Sequence, residues 1–179
     1  MTMIALMTAV TCIVAPFAIP LPFSPVPISF TNFIILLNLY ILGTRYATFS
    51  YLLYLLIGMV GMPVFSGFAG GFGKLAGPTG GYLIGFIFML PAAGFFIDHF
   101  KDKKYMHVLG MILGTIICYI FGTGWLCIQA HMSFQAGLAA GVIPYVPGDL
   151  IKIVVVMAIG PVIAKAIHAN QIKNADSVA

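Results

Sequence analysis

Asp149 and Lys152, in the segment PGDLIK, place an acid and a base one helical turn apart at the start of an apolar run. That spacing sets both side chains on one helix face. A helix N-terminus carries about half a positive charge, and an ammonium three residues along adds to it, so this corner attracts a carboxylate ligand. The plainer account makes Asp149 an N-cap and Lys152 its neutralising partner, reaching toward the interface. A second candidate is the glycine-rich insert from Pro63 to Gly81, PVFSGFAGGFGKLAGPTGG, which carries one lysine, Lys74. Its backbone freedom suits a loop that lines or covers a small-molecule pocket, although a loop lysine is ordinarily just solvated.

Other arrangements carry less. Gly73-Lys74 is followed by Leu75, and the position five before Gly73 is Phe68, so a phosphate-binding loop fails at two places. The run Gly71, Gly73, Ala76 has no strand before it and is no dinucleotide fingerprint. His99, His107, His131 and His168 lack the spacing of a helical metal pair, and Cys12, Cys118 and Cys127 lie in apolar segments as small hydrophobes. Glutamate is absent, and the acids are Asp98, Asp102, Asp149 and Asp176. No paired-carboxylate or nucleophilic site can be assembled from these, which argues against an enzyme. A proton relay is weakened as well, since only Asp149 is available within the spans.

The elements that must position these residues follow from composition. Of 179 residues, 61% are hydrophobic and 7% charged, and the mean hydropathy is +1.11. Such a chain is an integral membrane protein in which five or six spans are the ceiling. Apolar segments run over 4–18, 29–43, 48–62, 81–97, 105–128 and 150–167, predicting six transmembrane helices in a single domain over 1–179. Turn chemistry separates them: Pro20, Pro22, Pro25 and Pro27 after the first, Gly43-Thr44 after the second, the glycine-rich insert after the third, and Pro144 and Pro147 before the last. With no strand alternation, the expected fold is an all-α polytopic bundle, which satisfies its backbone within lipid.

If six spans alternate, Arg45, Lys101, Lys103, Lys104, Lys165 and Lys173 share one side and Lys74 stands on the other. Basic residues in short loops stay cytoplasmic, so both termini are expected there. The formal net charge of +4 marks topology rather than a nucleic-acid surface. The first segment lacks a basic leader region and a cleavage site, and is expected to be retained. Ala5 and Ala9 form a small-xxx-small face that admits a close helix, either a partner subunit or a neighbouring span. Gly110 and Gly114 form a similar pair, expected to pack within the chain.

The runs PVPISFTNF, GMPVFSGFAGGFGKLAGPTGGYLIGF and PGDLIK, in this order over nearly the whole chain, resemble BioY, the biotin-binding S components of energy-coupling factor (ECF) transporters. The resemblance implies six helices, cytoplasmic termini in a bacterial plasma membrane, and biotin held near the outer face beneath loops. It also implies a transmembrane coupling subunit and two cytoplasmic ATPase subunits, with Ala5 and Ala9 matching the A-x-x-x-A docking motif. By position, Asp149 and Lys152 match the family's acid and lysine at the biotin pocket, and the loop with Gly70, Gly71 and Lys74 matches its substrate-covering loop. Thr31 stands where many relatives carry a glutamine, and Asn32 is the neighbouring amide that could replace it. Biotin offers a carboxylate for Lys152, ureido N–H donors for Asp149, and an apolar bicycle for Phe65, Phe68 or Tyr82 to cover. Another vitamin's S component, or a stand-alone facilitator, is the alternative.

Overall fold

The computed structural model describes residues 1–22, 24–100 and 102–176, and the side chains of these except 168 and 170–176. Lys101 and the side chains of His168 and Lys173 fall outside that set. The chain order is α1 (Thr2–Val14), β1 (Ala18–Leu21), β2 (Ser24–Ser29), α2 (Thr31–Met59), α3 (Phe72–Ala76), α4 (Gly80–His99), α5 (Lys104–Gln129), α6 (Phe134–Gly141) and α7 (Val146–Asp176). Among the described residues, four helices, α2, α4, α5 and α7, are long and apolar enough to cross a membrane. The 13 residues of α1 span roughly 20 Å, short of a hydrocarbon core of about 30 Å.

The helical fold carries one strand pair that the all-α expectation lacked. The proline-rich segment after α1 forms an antiparallel ribbon, with Ala18 opposite Ser29, Ile19 opposite Ile28 and Leu21 opposite Ser24. Prolines suit it because each strand has only one neighbour. Pro25 and Pro27 fall at alternate positions and leave Ser24, Ile28 and Ser29 to pair. Two short helices, α3 and α6, are likewise additions to the six expected segments.

The expected second and third segments are one hydrogen-bonded run, α2, whose helical dihedrals break at Gly43 (φ 73°, ψ 166°). A side chain is rarely tolerated at that φ, so glycine is what permits the break. Asn38 Nδ2 donates to Thr11 Oγ1 at 3.0 Å, and Ser50 Oγ lies 2.9 Å from Thr8 Oγ1. In an unbroken helix Asn38 and Ser50 would be about 18 Å apart along the axis. Here they meet two hydroxyls one turn apart on α1, so the two arms of α2 fold back at Gly43.

Helices α4 and α5 pack closely through small residues. A Cβ at Gly114 would come within 2.9 Å of Met89 and 3.2 Å of Ala93, and one at Gly110 within 2.5 Å of Phe96. The Gly110 and Gly114 pair therefore packs within the chain, as expected. Ala5 and Ala9 do not: both are exposed, while Met7, Thr8 and Thr11 form the buried face of α1. The option that they pack against a neighbouring span of the same chain is thereby removed.

The four long helices each contribute residues to two separate cavities. One gathers Thr31, Asn32, Tyr82, Leu83, Phe86, Thr115, Tyr119, Asp149 and Lys152. The other gathers Leu39 to Gly43, Ile97, Asp98, Lys104, His107 and Pro161. Along each helix the nearest members of the two sets lie roughly 10 to 17 Å apart at 1.5 Å per residue.

Candidate ligand-binding site

Helix α7 begins at Val146, four residues ahead of the expected segment, so Asp149 sits inside the first turn and its N–H donates to Tyr145 O at 2.8 Å. The N-cap account of Asp149 fails on this geometry. Its carboxylate instead meets side chains: Lys152 Nζ stands 2.9 Å from Oδ1, and Tyr119 donates its hydroxyl to Oδ2 at 2.6 Å. Lys152 also donates to Ser29 O, at the end of β2, at 2.8 Å. The side chains of Lys152 and Asp149 are only 15% and 11% exposed. At such burial an ion pair persists only with extra hydrogen bonds, and Tyr119 and Ser29 supply them.

Donors and acceptors remain for a ligand. An ammonium has three N–H groups, of which Asp149 and Ser29 take two. Each carboxylate oxygen of Asp149 accepts one bond and keeps a second acceptor site. Around them lies a cavity enclosing about 610 Å³, counting its open mouth. Its apolar wall is Leu83 and Phe86 of α4 with Val26 and Pro27 of β2. Two of its lining residues carry buried polar atoms, Asn32 Oδ1 and Thr79 Oγ1, with no hydrogen-bond partner among the described residues. Buried groups are nearly always satisfied, so such atoms mark places for a ligand or water.

The ribbon closes one side of this cavity and is tied to the α6–α7 segment. Tyr145 donates its hydroxyl to Ser24 Oγ at 2.8 Å and also contacts Val26 O, and Ser24 donates to Ala140 O at 2.7 Å. Burial raises the Tyr145 phenol above its ordinary pKa, which keeps it a donor. Tyr82 donates to Gly141 O at 2.8 Å and presents its ring to the cavity.

Of the residues singled out by sequence, Asp149, Lys152, Thr31, Asn32 and Tyr82 converge on one cavity. The glycine-rich loop contributes Ser66 and Thr79 instead of its expected members. Phe65 is fully buried against Tyr54, with ring centroids 5.5 Å apart. Phe68, at φ 55°, is 60% exposed and meets Phe17 edge-on. Gly70 lies against the carbonyls of Gly61 and Met62, and Gly71 donates to Gly58 O at 2.7 Å. Lys74, on α3, does not line the cavity. Its ammonium is half-buried, and burial lowers its pKa. Lys152 and Asp149, expected to serve opposite ends of the ligand, stand 2.9 Å apart.

Tyr119, Tyr145, Thr79 and Ser29 were not singled out by sequence. Thr79 and Ser29 carried a signal, as hydroxyls inside GPTGG and PVPISFTNF.

The BioY family model matches residues 1–169. The chain belongs to the BioY family. Among BioY proteins, it is 32% identical over 172 residues to biotin transporter BioY2 of Lactococcus lactis, covering 96% of this chain and 93% of that one. It is 36% identical over 137 residues to biotin transporter BioY of Thermotoga maritima, covering 76% and 80%. A crystal structure of the S-component for biotin from an ECF-type ABC transporter superposes with a TM-score of 0.84 at 31% identity, covering 92% of this chain and 89% of that one.

Proposed function

We propose that this BioY-family chain is the biotin-binding subunit of an ECF transporter, capturing biotin at the outer face of a bacterial plasma membrane. The observation that carries this reading is the Asp149–Lys152 pair, whose remaining acceptors and donor face a largely apolar cavity. A ureido group presents a carbonyl flanked by N–H donors, and that pattern fits an ammonium beside a carboxylate. Asp149 accepts the N–H groups, Lys152 donates to the carbonyl, and Leu83, Phe86 and Tyr82 cover the bicycle. Thr79 and Asn32 complete the polar contacts. The carboxylate tail, at the molecule's other end, extends beyond the cavity lining toward Lys74, the cation of the loop that lends Ser66 and Thr79 to the wall.

In this reading α1 and the two arms of α2 on either side of Gly43, each shorter than an average hydrocarbon core, cross a locally thinned bilayer, giving six crossings and cytoplasmic termini for one domain. The gathering of Gly43, Asp98, Lys104 and Pro161 around one cavity supports this. It brings Arg45, Lys103, Lys104 and Lys165 to the end away from Asp149, as the cytoplasmic preference of basic residues requires. Nothing in the chain binds a nucleotide by sequence, so ATP hydrolysis belongs to two ATPase subunits reached through a transmembrane coupling subunit.

Titration calorimetry of the purified protein should give one biotin per chain, with no ATPase activity. Tight binding of thiamine or riboflavin with none of biotin would assign the cavity to another vitamin. The exposed Ala5 and Ala9 are proposed as the docking face for the coupling subunit. The double variant Ala5→Trp, Ala9→Trp should bind biotin normally and lose co-purification with that subunit. Retained co-purification and transport would place docking elsewhere.

A further inference from the structure

The second cavity, at the Gly43 end of the bundle, encloses about 950 Å³ counting its open mouth. Its wall divides into an apolar part, Leu39, Ile41, Leu42, Ile97 and Pro161, and a polar part, Tyr40, Asp98, Lys104 and His107. An acid and a base thus face one space, and among the described residues they form no ion pair. Both side chains are exposed. Asp98 Oδ2 accepts the Thr44 N–H at 3.2 Å, which caps the second arm of α2 and leaves Oδ1 for another donor. His107 is already engaged at both ring nitrogens, with Tyr40 Oη at 3.1 Å and Phe100 O at 3.0 Å. Lys104 is therefore the cation available to a ligand among the lining residues, and Asp98 the anion.

We infer that this cavity is a phospholipid site selective for a headgroup that combines a phosphate with a primary ammonium. A simple anion would pair with Lys104 but meet the charge of Asp98, whereas a zwitterion matches both. A primary ammonium also donates hydrogen bonds to Asp98 Oδ1, which a quaternary ammonium cannot do. The occupant is a lipid because the cavity's other half is apolar and its rim continues into membrane-facing surface. Val162, 66% exposed, follows Pro161 on α7, and Tyr105, 63% exposed, follows Lys104 on α5. Acyl chains lie along the first, and the tyrosine sits at headgroup depth. The site borders the Gly43 break, so an occupant bridges the two arms of α2 to α5 and α7. The inference rests on the membrane-spanning arrangement and is independent of which vitamin occupies the other cavity.

The test is native mass spectrometry of the delipidated full chain with phosphatidylethanolamine, phosphatidylcholine and phosphatidylglycerol of identical acyl chains. Wild type should retain the ethanolamine lipid about tenfold better than either of the others. Asp98→Asn keeps an acceptor for Thr44 and should erase that preference. Lys104→Ala should weaken the ethanolamine and glycerol lipids together. Both variants should bind biotin as wild type does, which shows that they are folded. Equal retention of the three lipids by wild type, or an ethanolamine preference that persists in Asp98→Asn, overturns the proposal. Displacement of the lipid by equimolar soluble phosphoethanolamine would overturn the lipid assignment.

Discussion

The two cavities use the same side-chain types at opposite ends of the same helices, and they differ in how those groups are held. Asp149 and Lys152 are one turn apart on a single helix, paired at 2.9 Å and braced by Tyr119 and Ser29. Asp98 and Lys104 come from the end of α4 and the start of α5, stay exposed and do not pair. Burial explains the contrast. A nearly buried charge must be paired and hydrogen-bonded, whereas an exposed one is content with water. The consequence is a fixed constellation at one end, suited to reading a small rigid ligand, and a loose one at the other, suited to a mobile headgroup. Preorganisation of this kind raises affinity by lowering the ordering cost of binding.

The largest break in this comparison comes from Lys152→Ala, which leaves Asp149 buried without its partner. Biotin affinity should fall by about 2 to 4 kcal/mol, that is, roughly thirty-fold to a thousand-fold. Because the pair reads the ureido end, biotin amide should lose as much. Calorimetry that finds the amide nearly unaffected would return Lys152 to the carboxylate. The matching change in the other cavity, Lys104→Ala, should leave biotin binding where it was.

A smaller effect separates the two ends of the ligand. Lys74 is half-buried in the glycine-rich loop, and water screens part of its attraction for the carboxylate tail. Lys74→Ala should therefore cost biotin about 1 kcal/mol and biotin amide almost nothing. Equal small losses for both ligands would make Lys74 a member of the loop's packing only.

How much of this was legible in sequence depends on whether the signal is local. Asp149 and Lys152 stand out because charges are scarce in apolar segments, and Gly43 was readable as a turn because it precedes a basic, polar stretch. The ribbon was not, because alternate prolines read as loop until a partner strand is at hand. Helix α6, FQAGLAAG, is only eight residues long and mostly small side chains, and its local mark is Ser133, whose hydroxyl accepts the Ala136 N–H. Tyr119 and Tyr145 are ordinary residues of an aromatic-rich chain, and only tertiary neighbours 30 and 121 positions away assign them. The same holds for Ala5 and Ala9: the motif was visible, but whether it faced a span or the outside needed the buried face of α1.

The finest test concerns closure, since the Asp149 cavity has a tethered ribbon on one side and the Gly43-end cavity has none among the described residues. Ser24 is the joint of that tether: it accepts from Tyr145 and donates to Ala140 O. Ser24→Ala removes both bonds, together with the one Ser24 Oγ accepts from the Val26 N–H within the ribbon at 3.1 Å, and leaves the cavity lining unchanged, because Ser24 does not line it. One net hydrogen bond is worth about 1 kcal/mol, and Tyr145 retains its contact with Val26 O. Bound biotin should therefore leave roughly fivefold faster, while association changes little, since the ribbon's looser state already admits the ligand. Lipid retention at the Gly43 end should not respond, as the tether joins only the ribbon to the α6–α7 segment. A washout experiment with labelled biotin reads the release rate directly. An unchanged rate would mean that the ribbon is held by its strand pairing, by Lys152 at Ser29 and by Tyr145 at Val26 O. The difference between the two cavities would then lie wholly in their charge pairs.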